Sequence, residues 1–587
     1  MDATSRQPSF AALVGLAWAL IVLQLLAQHW ADTAVNLLDT DDAMRLTQLR
    51  DWLGGQSWYD LHQWRVTPGY VSHWSRLIDA GLAGTLWFFA LFFDGALAER
   101  LMRTVWPMLW LAPTLVGMTA IAWRIAGREA ALVALLLALV GLPAFHQFRP
   151  GRIDHHNVQI ALSVLVVAAT VWSDRVRWAA LAAGALTALA IGVGLECLPY
   201  LLVCALAFAL RYALDPSGAR PAVDYGIALA AGAIALFFLL VGPQSWSVAV
   251  CDAIAINWVA LVGIGGFGLA VAGYCASPRL AVRLGCTLAI GAVATAVFLA
   301  IEPRCLKGPY AMMDAQVWSI WLSDVREMQP LLTLIVKTPV TGLAVAAFPV
   351  AALVATLVLL RDRAARRDFA ALTASAAFAV AFLTTLAAVK AYSYATWLGM
   401  PLVAALALHL FAALHVQRLI PRVALSLLLT PAVLSVGALG IAQAAGLNDK
   451  KPADGPDRPA QDACLDNASY AALARLPAGI VAADLDYGPF LLALTPHRIL
   501  AAPYHRLSAG ILATHEVFGS APAAAHAALK RLGVTYVATC GTRGPSDLPK
   551  SELEASFAGR LRAKEVPDWL EPVAVGDSPF TVYRVKS

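Results

Sequence analysis

The chain alternates apolar stretches of membrane-spanning length with short polar breaks. The first stretch, FAALVGLAWALIVLQLLAQ (10–28), has no charged residue. Backbone amides in a hydrocarbon layer find no water, so such a run is stable there only as a helix, and about 20 apolar residues cross the layer. Twelve further spans follow near 104–123, 130–145, 157–173, 178–194, 195–212, 224–242, 254–275, 280–301, 339–360, 369–388, 392–414 and 421–443, which predicts thirteen in all. The run AGLAGTLWFFALFF (80–93) stops at Asp94 and is short for a span, so it is expected to lie in the membrane interface. Beyond 443 the pattern changes. After a polar linker, GLNDKKPADGPDRPAQD, short strand-like runs (GIVAADL, VTYVATC, FTVYRV) alternate with helical ones (APAAAHAALKRLG), as in a small α/β domain.

Charge placement tests this count. With the N-terminus cytoplasmic, the cytoplasmic loops become 123–129, 173–178, 211–224, 277–283, 361–368 and 415–422, and each carries arginine. Reading 80–93 as a span would turn every later loop around. The expected architecture is therefore a polytopic α-helical membrane region, 1–443, with external loops at 29–103, 145–157 and 302–338. A soluble α/β region, 444–587, is expected outside. An exported tail points to a bacterial inner membrane, with this region in the periplasm.

Composition agrees. The 587 residues are 59% hydrophobic and 14% charged, which excludes a soluble globule, and a net charge of +5 carried by loop arginines gives no nucleic-acid surface. The first run is too long for a signal-peptide core and lacks a clear cleavage site, so it is expected to be retained. Eight cysteines form no CxxC pair. Cys464 and Cys540 both fall in the exported part, where a disulfide can form.

Candidate chemistry lies at the external ends of spans. Asp39, Asp41 and Asp42 crowd together after the first helix; Asp154 and His156 follow in GRIDHHN; Asp324 and Glu327 follow in SDVREMQP. Each segment alone also reads as a helix cap or a solvated rim, since Asp is favoured at helix starts. Together, acids recurring on one face of a membrane suit Mg²⁺ or Mn²⁺ serving a phosphate-bearing substrate. A transporter would instead put paired charges inside broken spans, where only Glu196 stands out, and an assembly subunit would need no such acids.

The order of these segments resembles the catalytic subunit of oligosaccharyltransferase, a membrane glycosyltransferase of the GT-C type, over nearly the whole chain. In that family an Asp in the first external loop is followed ten residues later by an Arg-Asp turn, here Asp41 and then Arg50-Asp51. PGRIDHH resembles the family's second acidic element through Asp154 and His156, and DVREMQP its third through Glu327. VAADLDYGPFLLALTPHRIL resembles the segment carrying the WWDYG signature through Asp486, Tyr487 and Gly488, with Asp484 and Leu485 in place of the two tryptophans.

The resemblance implies transfer of a sugar or oligosaccharide from a polyprenyl phosphate or diphosphate to a glycan, lipid or protein acceptor. It implies Asp41, Asp154 and His156 as metal ligands and Glu327 as a further catalytic acid. Asp484, Asp486, Tyr487 and Gly488 are expected on the acceptor side. On the donor side Tyr394 stands nearest the family's phosphate-binding position, with Lys390 one turn earlier; Arg65, His73 and Arg76 in the first loop are further candidates. Replacing the tryptophans removes the shelf that holds an Asn-x-Ser/Thr acceptor in that family, which weighs against Asn-linked protein glycosylation as the narrower alternative.

Overall fold

The structure is a computed structural model that describes residues 9–67, 69–449, 463–541, 544–545 and 547–586. Residues 450–462, most of the expected linker, lie outside the described residues. Each of the thirteen expected spans falls on helix. Among the described residues eight helices are long and apolar enough to cross a membrane, and the bent pair Leu419–Leu428 and Pro431–Ala444, taken as one span, adds a ninth. The spans expected at 104–123 and 130–145 belong to one element, Gly95–Leu139, broken at Gly127, where φ of +83° leaves the helical range. The spans expected near 157–173, 178–194 and 195–212 are shorter helices, His156–Trp172, Ala179–Val193 and Leu198–Leu214. The run expected in the interface lies on the helix Arg76–Ala90 and the turn after it, and it exposes Trp87, Phe88, Leu91, Phe92 and Phe93.

Helices pack closely where side chains are small, because lipid-facing helices gain little from hydrophobic burial alone. A Cβ on Gly226 would lie 2.3 Å from the carbonyl oxygen of Gly266, and one on Gly266 would lie 2.7 Å from that of Gly226. Backbones of Ala219–Leu240 and Ile256–Cys275 thus touch directly.

The basic loops meet at one end of the bundle. Arg124 pairs with Asp174 and Asp368, and Arg422 lies 3.6 Å from Glu129. Arg211 donates to Ser173 at 3.4 Å, and Arg283 donates to the carbonyls of Tyr212 and Ala213. The charge pattern of six separate loops therefore corresponds to one contiguous surface.

At the other end sits the α/β region. Its sheet runs β2-β1-β3-β5-β4, with β1 Ile480–Ala482, β2 Arg498–Ile499, β3 Tyr536–Thr539, β4 Leu570–Val573 and β5 Thr581–Val585. β2, β1 and β3 are parallel, and β5 is antiparallel to both β3 and β4. The loop after the first helix continues this sheet: Val66 bridges Ile499 in parallel, Ile499 N–H donates to the Arg65 carbonyl at 2.9 Å, and Thr67 N–H donates to the Ile499 carbonyl at 2.8 Å. Cys464 and Cys540, for which the sequence leaves the pairing open, form a disulfide. A second disulfide, Cys251–Cys305, ties together two loops at the same end.

Candidate active site

Four segments converge where the sheet meets the bundle. The helix Thr40–Leu53 starts with Asp39 as N-cap, whose carboxylate accepts the Asp41 N–H at 3.1 Å. The helix-cap reading and the functional reading of these acids are therefore compatible. Asp41 and Asp42 occupy the first turn, where unpaired amides and the helix dipole favour anions.

The second segment arrives through Gly151, whose φ of +103° is a backbone conformation that favours glycine. That turn lays Arg152 to Asp154 against the first segment. Asp42 Oδ1 accepts the N–H groups of Ile153 at 2.7 Å and Asp154 at 3.1 Å. Asp154 Oδ1 accepts the His156 N–H at 3.0 Å and so starts the helix His156–Trp172. One guanidinium gathers three acids: Arg152 Nη1 donates to Asp39 at 2.6 Å and to Asp42 at 3.0 Å, and its Nη2 donates to Asp154.

This sharing divides the acids. Burial raises the Asp39 and Asp154 carboxyls, but the guanidinium outweighs it and holds both below the usual carboxylate range. Asp42 has the same partner, yet burial still pushes it to about 8. Asp41 is raised well above the usual range by burial and by the charges of Asp39, Asp154 and Glu327, with His156 acting the other way. Crowding these acids around Asp41 thus disfavours its ionisation until a further positive charge arrives.

Ligand atoms of Asp41, Asp154 and His156 all lie within 4.8 Å of one another. Two carboxylates and an imidazole fit a divalent cation.

The third and fourth segments complete the cavity. Glu327 stands on the short turn Arg326–Met328, and Val389 N–H donates to Gln329 at 3.1 Å, which brings Lys390 alongside. Lys390 Nζ donates to Glu196 Oε1 at 2.7 Å, and Glu196 Oε2 lies 3.1 Å from His156 Nδ1.

Asp41, His156, Glu196, Glu327 and Lys390 line a central cavity of about 230 Å³, walled also by Tyr310, Trp321 and Tyr504. On the membrane side His156, Glu196, Glu327 and Lys390 also line a cavity of about 640 Å³, bounded by Leu25, Leu142, Ile160 and Val345. On the sheet side Trp321, Val325 and Asp486 open onto a groove of about 480 Å³ that contains Asp324 and Asp484.

The fold has known counterparts. The chain superposes on the oligosaccharyltransferase of Archaeoglobus fulgidus in the apo form at a TM-score of 0.67, with 14% identity, covering 92% of this chain and 70% of that one. The archaeal oligosaccharyltransferase AglB from the same organism, in complex with an inhibitory peptide and a dolichol-phosphate, gives 0.67 with 12% identity and coverage of 96% and 79%. A complex of the A. fulgidus enzyme with Zn and sulfate gives 0.59 with 13% identity, covering 90% and 67%. The fold is that of the oligosaccharyltransferases. No family profile and no curated protein sequence matches the chain.

On the oligosaccharyltransferase fold the remaining candidates fall into two groups. Tyr394 lines the larger cavity, stacks on Tyr200 at 4.5 Å and approaches Gln159 at 3.4 Å. Asp484 and Asp486 line the groove, whereas Tyr487 is buried and donates to the Cys540 carbonyl at 2.8 Å. Gly488 is a packing position, since a Cβ there would lie 2.2 Å from the Ala501 carbonyl oxygen.

Arg65 and Arg76 border neither the central nor the larger cavity. Arg65 donates to the carbonyls of Leu492 at 2.7 Å and Thr495 at 3.0 Å, and Arg76 is buried against Asp79 at 3.0 Å. Three participants were not singled out from sequence for this site: Arg152, Glu196 and Tyr504. By sequence Arg152 is one loop arginine among several, and Glu196, a charge within an expected span, occupies the turn between Ala179–Val193 and Leu198–Leu214.

Proposed function

We propose that the protein is a metal-dependent GT-C glycosyltransferase that moves a sugar or oligosaccharide from a polyprenyl phosphate or diphosphate to an acceptor on the external membrane face. The observation that carries this reading is the meeting of Asp41, Asp154 and His156, from loops far apart in sequence, within 4.8 Å. Asp41, Asp154 and His156 would hold Mn²⁺ or Mg²⁺, which when bound supplies Lewis-acid neutralisation of the departing phosphate.

Lys390 offers a cation to that phosphate where the two cavities join, and Tyr394 lines the wall of the larger one. The larger cavity has the apolar walls that an isoprenoid chain would need, and a neighbour of this fold binds a dolichol-phosphate. Glu327 lines the central cavity together with Asp41, where it would orient or deprotonate the attacking group.

The acceptor enters on this reading from the groove beside Asp484 and Asp486. A related oligosaccharyltransferase is tethered to a peptide with an NVT sequon. With Asp484 and Leu485 in place of the signature tryptophans, the acceptor here is a glycan, a lipid or a different polypeptide. The reading places the membrane part at 1–443 and the α/β part at 444–587, with the N-terminus cytoplasmic and the site facing the periplasm of a bacterial inner membrane.

Asp154→Asn tests it. The substitution keeps side-chain size but removes a ligand charge, and a loss of several kcal/mol of phosphate stabilisation lowers transfer on the order of a thousandfold. Mn²⁺ binding should weaken in parallel while the protein still folds. A folded variant with wild-type metal affinity and unchanged glycans by mass spectrometry would overturn the proposal.

A further inference from the structure

Glu196 lies between two functional groups and belongs to neither set of expected site residues. It sits on the turn between Ala179–Val193 and Leu198–Leu214, with its side chain 32% exposed to the central cavity. Its two oxygens are divided: Oε1 accepts from Lys390 Nζ at 2.7 Å, and Oε2 faces His156 Nδ1 at 3.1 Å. An imidazole has two nitrogens. With Nδ1–H directed to a carboxylate, the lone pair resides on Nε2, the nitrogen then available to a metal, and a carboxylate partner fixes the ring and makes it a better ligand.

We propose that Glu196 is the positioning residue of the metal site, setting the tautomer and orientation of His156 toward the cation shared with Asp41 and Asp154. This rests on the metal reading above and adds a residue to it. The same carboxylate holds Lys390, so the side chain that meets the donor phosphate and the side chain that meets the metal are anchored at one point. The alternative role for Glu196 is to neutralise Lys390 and nothing more.

Purified full-length protein titrated with Mn²⁺ and followed by electron paramagnetic resonance separates these roles. Glu196→Gln should weaken Mn²⁺ binding about 10–100-fold. It should also alter the nitrogen hyperfine couplings of bound Mn²⁺, which a general loss of stability would leave alone. Lys390→Met should retain wild-type affinity or tighten it, because Glu196 is then left to His156. The double variant should bind as weakly as Glu196→Gln.

Glu196→Asp is the second variant. It keeps the charge but withdraws the carboxylate by one methylene, and it should also lose affinity. Wild-type affinity in either folded single variant of Glu196, or its recovery in the double variant, would sink the proposal. Wild-type protein that takes up no Mn²⁺ would overturn the metal reading and this inference together. Wild-type binding with an unaltered Glu196→Gln overturns only the latter.

Discussion

Replacing Arg152 with Met should destabilise the metal-free protein far more than the loss of one loop arginine would suggest. The guanidinium is 5% exposed and serves Asp39, Asp42 and Asp154, of which the last two side chains are fully buried. Removing one partner of a buried ion pair costs about 3–5 kcal/mol, because the orphaned charge, here that of Asp154, stays in the interior. Asp39 is 39% exposed and contributes little to that sum. Part of the loss is recoverable, since a divalent cation beside Asp41 and Asp154 restores positive charge where Arg152 left.

At a concentration one hundred times its dissociation constant, a bound ion stabilises the folded state by about 2.7 kcal/mol. The assay is thermal unfolding of Arg152→Met and wild type in detergent, each with EDTA and with saturating Mn²⁺. The variant should unfold well below wild type in EDTA, and Mn²⁺ should narrow the gap. Arg152→Lys should fall between, because a single ammonium cannot span three carboxylates as a planar fork does. Equal midpoints for wild type and Arg152→Met in EDTA would refute the argument.

Two further tests address how the α/β region docks. Asp252 accepts Arg506 Nε at 2.7 Å and Nη2 at 2.6 Å, together with His505 Nε2 at 2.6 Å, so Asp252→Asn should cost about 2–5 kcal/mol of docking and speed hydrogen exchange across residues 498–508. Burial raises the Asp252 carboxyl, but Arg506 and His505 outweigh it and hold it far below its ordinary value; the docking contribution is therefore complete at neutral pH and is lost only as pH falls below about 3.9. Unchanged exchange in Asp252→Asn, or docking lost already near pH 6, would contradict this. Arg65→Ala should loosen the contacts to Leu492 and Thr495 and lower thermal stability by about 1–3 kcal/mol while leaving the KM for a polyprenyl-phosphate donor unchanged. A raised donor KM at unaltered stability would return Arg65 to the donor site.

Much of the architecture is legible in the chain because membranes constrain it severely. Apolar run length marks the helices, and arginine placement groups six loops that the structure joins through Arg124, Arg211, Arg283 and Arg422. Asp41, Asp154 and Glu327 are visible for a related reason, since an acid at a membrane end is conspicuous against a background 59% hydrophobic. Arg152 is not visible. Its neighbours in sequence say nothing of Asp39 and Asp42, which reach it only after Gly151 turns the chain.

Arg65 and Arg76 show the converse. Both look like free cations in an aromatic loop, but that loop folds back on itself and on the α/β region, where backbone carbonyls and Asp79 take up their donors. The Cys251–Cys305 pair was equally hidden, because its partners lie 54 residues apart in loops whose proximity no local pattern records.

The bridge between Val66 and Ile499 has a consequence for handling the protein. β2 is the outermost strand of the soluble sheet, and the membrane part supplies the segment that covers its rim. A fragment cut free of the bundle would present that rim bare, with amide and carbonyl groups open to any extended chain. Such a fragment is expected to self-associate through β2 unless a segment equivalent to residues 65–67 travels with it.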